Sequence, residues 1–120
     1  MPEKTEWYMT FQIDPRGGTV SPVSYDVDRC VFDQTPPSIG PQLTTFVCYI
    51  INPNLPMTAQ INFGASPAAY IKIQNWTYYS TQPPLIQISN PTSSFYEVYH
   101  YWVDHPSGPY VIHASVGTVR

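Results

Sequence analysis

Charge is the scarcest commodity in this chain. Asp, Glu, Lys and Arg supply 11% of its 120 residues, where a soluble domain ordinarily draws about a quarter from them. Between Asp33 and Glu97 the only charged side chain is Lys72. The polar surface over that stretch must be built from Thr, Ser, Asn, Gln and Tyr. Amides, hydroxyls and phenols cost less to desolvate than ions, so such a surface suits contact with another surface, of protein or of sugar. Nucleic acid is excluded as a partner: Lys4, Arg16, Arg29, Lys72 and Arg120 are scattered and the formal net charge is -3, leaving no basic stripe for a phosphate backbone.

Other absences narrow the reading further. No apolar run approaches the roughly 18 residues of a membrane-spanning helix. The opening Met-Pro-Glu-Lys-Thr-Glu leads into no signal-peptide core. Cys is limited to Cys30 and Cys48, at a spacing that fits no zinc or redox motif. The two are either a disulfide closing a modest loop, worth about 3 kcal/mol by loop entropy, or a pair of buried free thiols. There is no nucleophile elbow, phosphate-binding loop, metalloprotease helix or suggestive Cys-His pairing. The one acid-base set, Glu97, Asp104 and His105 with His100 and His113, carries nothing that marks a site. No enzymatic activity and no cofactor are expected.

What the sequence does have is alternation. Helical spacing sustained over ten residues is absent, while period-two patterns recur. Trp7 to Ile13 alternates and ends at the turn residues Asp14-Pro15-Arg16-Gly17-Gly18. Thr19 to Phe32, interrupted by Pro22 and rich in Asp, predicts an edge. Leu43 to Ile51 is apolar on both faces and predicts the central strand. Met57 to Phe63, Tyr70 to Ser80, Leu85 to Ser89, Phe95 to Val103 and Tyr110 to Val116 complete a set of eight or nine short strands with turn signals between them. That pattern predicts an all-β fold, an antiparallel β-sandwich or jelly-roll-like domain. Residues 1–120 are enough for one such domain and too few for two.

Four places bear on function. The outward face of the Tyr70 to Ser80 strand would present Tyr70, Lys72, Gln74, Trp76 and Tyr78 about 7 Å apart. Aromatic rings beside an amide and an ammonium fit a protein interface or a sugar; otherwise Trp76 packs against a neighbouring strand. In the last hairpin, a turn centred between Pro106 and Ser107 would set Trp102 against Val111 and His100 against His113. Those two imidazoles would be a weak metal pair or a pH-sensitive contact, two ligands being an incomplete site; otherwise they are two partly buried histidines hydrogen-bonded among aromatics. Asp26, Asp28 and Asp33 lack the Gly and closing Glu of a calcium loop and read as solvated edge charges. Asn75-Trp76-Thr77 matches the N-glycosylation pattern but falls inside a predicted strand.

Phe11-Gln12-Ile13-Asp14-Pro15-Arg16-Gly17-Gly18-Thr19-Val20-Ser21-Pro22 resembles the opening of the listerial internalin B-type surface repeats. That short likeness implies no more than a Gly-Gly turn joining two strands. The expected function is a non-enzymatic structural or interaction subunit of a larger assembly, of the viral or phage kind: a capsid decoration, spike or tail component. Its partners would be copies of itself or other structural proteins, and its place the virion or an extracellular surface. The alternative is a carbohydrate-binding, lectin-like module with a glycan partner.

Overall fold

The protein is described here by a computed structural model covering residues 7–105 and 109–119. The expected turn at Pro106-Ser107, and Lys4 and Arg120, lie outside the described residues. Nine strands follow in order: β1 (Tyr8–Asp14), β2 (Val23–Asp28), β3 (Cys30–Phe32), β4 (Thr44–Ile50), β5 (Met57–Phe63), β6 (Ala69–Trp76), β7 (Ile86–Ser89), β8 (Tyr96–Asp104) and β9 (Val111–Thr118). No helix occurs among the described residues, and so none there is long and apolar enough to cross a membrane.

The strands form two packed sheets, one of five strands in the order β3-β4-β1-β9-β8 and one of four in the order β2-β5-β6-β7. All pairings are antiparallel except β1 with β9. This is the all-β, sandwich-like architecture that the alternation predicts. Met9, Phe11 and Ile13 from β1 point inward, as do Met57, Ala59, Ile61 and Phe63 from β5. Period-two alternation puts each of these sets on one face of its sheet. Between the layers Phe32 packs edge-on against Phe11, at 5.5 Å, and Phe46, at 6.2 Å.

Two expectations are refined. Leu43 to Ile51 does give an interior strand, β4, but β1 holds the middle of the five-stranded sheet. Leu43 and Ile51 themselves fall just outside β4 and are exposed. The predicted edge from Thr19 to Phe32 is two edges. Arg29 adopts a left-handed backbone, φ 62°, which breaks the extended run so that β2 ends one sheet and β3 ends the other.

Tyr96 ties the start of β8 to the segment before β2. Its hydroxyl accepts from the Ser21 N–H at 3.1 Å and donates to the Ser21 carbonyl at 3.2 Å. Its ring lies against Gly64, φ 94°, where an added Cβ would stand 2.9 Å from the ring.

Candidate functional site

The two outer sheet faces and the free edge of β8 are where the candidate residues lie. On the four-stranded sheet, Tyr70, Lys72 and Gln74 face outward as their alternation requires. Trp76 does not. Asn75 sits at φ 53°, and the register of β5 with β6 shifts between Met57 and Ala59. The irregularity reverses the phase of the strand, so Gln74 and Asn75 both face solvent while Trp76 turns into the core, 7% exposed. The Trp76 indole N–H donates to the Gln82 carbonyl at 3.0 Å, and the ring meets Tyr78 edge-on at 6.1 Å and Tyr110 at 5.7 Å. Tyr78 lies past the end of β6, in a turn closed by Ser80 N–H to the Thr77 carbonyl, and is half-buried against Trp76. The predicted five-residue stripe thus keeps its first three members and loses its two other aromatics.

The surviving three belong to a wider polar face. Pairing registers set Asp26, Gln60, Lys72 and Gln87 in one cross-strand row and Ser24, Asn62, Tyr70 and Ser89 in the next. The Asn62 amide donates to Asp26 at 2.9 Å and to Ser24 at 3.2 Å, while the Gln60 amide donates to Asn62 at 2.6 Å. Lys72 reaches over the Tyr70 ring, with its ammonium 6.0 Å from the ring centre. The outward phase of Thr58, Gln60 and Asn62 is plain in the sequence; their adjacency to Tyr70 and Lys72 needed the β5-β6 pairing.

The histidines are also re-registered. On the turn side of the hairpin Asp104 pairs with Val111, two residues from the expected register, so His100 faces Ser115 and His113 faces Trp102, and a bulge between Val98 and His100 inserts Tyr99 as an extra residue farther from the turn. His100 and His113 are therefore not a cross-strand pair. The His113 ring stacks on the Trp102 indole, 4.3 Å away and 6° from parallel, and His100 lies 4.9 Å from the same indole. Burial pushes the His113 imidazole below its usual 6.5, against a smaller upward pull from Asp104. Among the described residues no three His, Cys, Asp or Glu side chains gather as metal ligands. Nothing in the sequence marks Tyr99 as the bulge. Its ring lies over Gly117, 3.3 Å from where a Cβ would stand there, and the Arg16 guanidinium lies 5.6 Å from the centre of that ring.

Cys30 and Cys48 are buried thiols. Cys30 faces Ile50 and Cys48 faces Phe32, so the two are diagonal neighbours. Diagonal positions stand about 7–8 Å apart, beyond the roughly 4.4–6.8 Å between the Cα atoms of a disulfide. The Cys30 thiol donates to the Thr58 carbonyl at 3.2 Å, and Cys48 is pushed well above its usual value by its hydrogen bond to Cys30 and by burial. The three aspartates are separated: Asp26 accepts from Asn62, Asp33 from the Val47 N–H at 2.9 Å, and Asp28 pairs with Arg29 at 3.6 Å.

One end of the sandwich holds a pocket of about 220 Å³ bordered by Arg16, Thr19, Tyr96 and Thr118, smaller than the ~300–1,000 Å³ of typical small-molecule sites. Most of the exposed aromatic side chains lie elsewhere, along β8. Tyr99, Tyr101 and Trp102 on β8 are 44%, 42% and 45% exposed, Phe95 just before it 54%, and Leu85 just before β7 78%; β7 and β8 touch across the layers. Neither a protein-family model nor a curated protein matches this sequence.

Proposed function

We propose that the chain is a non-enzymatic structural and interaction subunit of a larger assembly, of the kind that serves in viral and phage particles as a capsid decoration, spike or tail component. It would act on a virion or another extracellular surface, with copies of itself or other structural proteins as partners. The exposed aromatic side chains along β8 carry this reading. Tyr, Trp and Phe are the side chains enriched where proteins meet, and Phe95, Tyr99, Tyr101 and Trp102 stand exposed along or just before this strand. The neutral outer faces support it, because they can be covered without stripping water from many ions. Sedimentation velocity over a wide concentration range tests it. A concentration-dependent, symmetric oligomer is expected, and a species that stays monomeric at millimolar concentration would overturn the proposal.

The carbohydrate alternative draws on the polar rows of the four-stranded sheet, where Tyr70 and Lys72 stand beside the amides of Gln60 and Asn62. A glycan array together with a Lys72→Ala, Asn62→Ala variant tests it. Binding that the double substitution abolishes would support a lectin role, and an array without hits would end it.

A further inference from the structure

Resting on the reading of the chain as an assembly subunit, we infer that the free edge of β8 is the contact and that its partner is β8 of a second copy. The two strands pair antiparallel about a two-fold axis at Trp102 and join two five-stranded sheets into one. A sheet edge left open is a template for another strand, and proteins blunt edges with short strands, charge or proline. Three of the four edges here are blunted. β3 has three residues, β2 carries Asp26 and Asp28, and β7 has four residues between Pro84 and Pro91. β8 runs nine residues without Pro, and its two acids, Glu97 and Asp104, and its bulge at Tyr99 flank an uncharged, regular stretch from His100 to Val103.

The hydrogen-bond phase shows which groups that edge offers. Thr10 N–H donates to the Tyr110 carbonyl at 3.0 Å, so in the parallel β1-β9 ladder the even-numbered residues of β9 turn their backbone groups toward β1. Alternation turns those of Val111 and His113 toward β8. Their partners Asp104 and Trp102 bond inward, and Tyr101 and Val103 direct N–H and C=O away from the sheet. The first half of the edge is closed by the protein itself. The Asn90 side chain donates to the Val98 carbonyl and accepts from the Val98 N–H, both at 2.8 Å, and the Ser94 hydroxyl donates to the Tyr96 carbonyl at 2.8 Å. No such cap reaches Tyr101 or Val103 from the described residues.

Register and partner follow from this half-capped edge. Pairing must lie beyond Val98, and outward-facing residues must meet outward-facing residues. A two-fold axis at Trp102 sets Tyr101 against Val103 of the copy, twice, with two hydrogen bonds in each pair. The same register sets His100 against Asp104 of the copy, also twice, an imidazole facing a carboxylate in a contact that is otherwise charge-free. The register that would oppose Glu97 to Asp104 meets like charges and also sets Tyr101 against the inward-bonding His100. Self-complementarity of this type is what a two-fold interface requires.

Tyr101→Pro deletes an N–H that β9 does not use and is expected to weaken dimerisation at least tenfold by sedimentation velocity, with the far-ultraviolet circular dichroism unchanged. Asp104→Lys should weaken it too, and adding His100→Glu should restore it, which keeps the test sound if the proline variant fails to fold. Trp102→Cys should give an intermolecular disulfide dimer on air oxidation. If the wild-type protein is oligomeric and these substitutions leave it so, the β8 contact is refuted while the assembly reading stands. If the wild-type protein is monomeric throughout, both fall.

Discussion

Trp76→Ala is the substitution that most sharply separates a core indole from a surface one. The side chain is 7% exposed, edge-on to Tyr78 and Tyr110, and bonded through its N–H to Gln82. Truncating a buried Trp to Ala removes transfer energy and leaves a cavity, together costing about 3–5 kcal/mol. For a chain of this length that lowers the melting temperature by about 12–20 °C. Urea unfolding followed by circular dichroism measures the cost directly. Lys72→Ala and Gln74→Ala, on the outward face of the same strand, should stay within about 0.5 kcal/mol of the wild type. If Trp76→Ala costs no more than about 0.5 kcal/mol, as ordinary surface substitutions do, then Asn75 does not reverse the strand and the indole belongs to the surface after all.

Other outcomes are equally definite. Gly64→Ala should cost more than Gly17→Ala in the same unfolding assay. Both have positive φ, at 94° and 84°, a strain of about 1–3 kcal/mol for other residues, but only at Gly64 does the new methyl meet a ring, that of Tyr96; equal costs would remove the Tyr96 contact from the account. His113 binds its proton less readily folded than unfolded, so its contribution is present above pH 6.5 and lost as the pH falls through its lowered value. His113→Gln should therefore shrink the difference in urea midpoint between pH 7.5 and pH 5, and an unchanged difference would refute the assignment. Cys30 and Cys48 should both resist alkylation at pH 8 in the native protein and both react in denaturant, whereas an unreduced mass matching the oxidised pair would contradict the free-thiol core.

Most of the strands were legible in the sequence because each buries one face against the other layer. Met57 to Phe63 alternates without a break and appears as β5 with the same bounds. What could not be read is where that alternation changes phase. At Asn75 one left-handed residue is enough, a conformation that Asn tolerates better than most residues, and the expected stripe loses its Trp. In the last hairpin the register beside the turn falls two residues from the expected one, with Tyr99 an extra residue farther along, and two histidines predicted to face each other come to flank one indole. Neither irregularity disturbs local composition; both are set by what the opposite layer and the paired strand require. The parallel β1-β9 pairing escapes a sequence reading for a related reason, since it joins strands nearly a hundred residues apart along the chain. The polar face is half legible: alternation puts Gln60, Asn62, Tyr70 and Lys72 outward, and only the β2-β5-β6 order brings them together with Ser24 and Asp26.

The parallel contact between β1 and β9 also has a mechanical meaning. Because the two strands run the same way in the middle of their sheet, the start of β1 and the end of β9 leave the sandwich at opposite ends. Tension applied between Tyr8 and Thr118 would run along this ladder, from Thr10 with Val111 to Asp14 with Ser115. Its hydrogen bonds would then be loaded together in shear instead of being peeled apart one after another. A sandwich wired in this way resists stretching along its long axis better than one whose terminal strands are antiparallel hairpin neighbours.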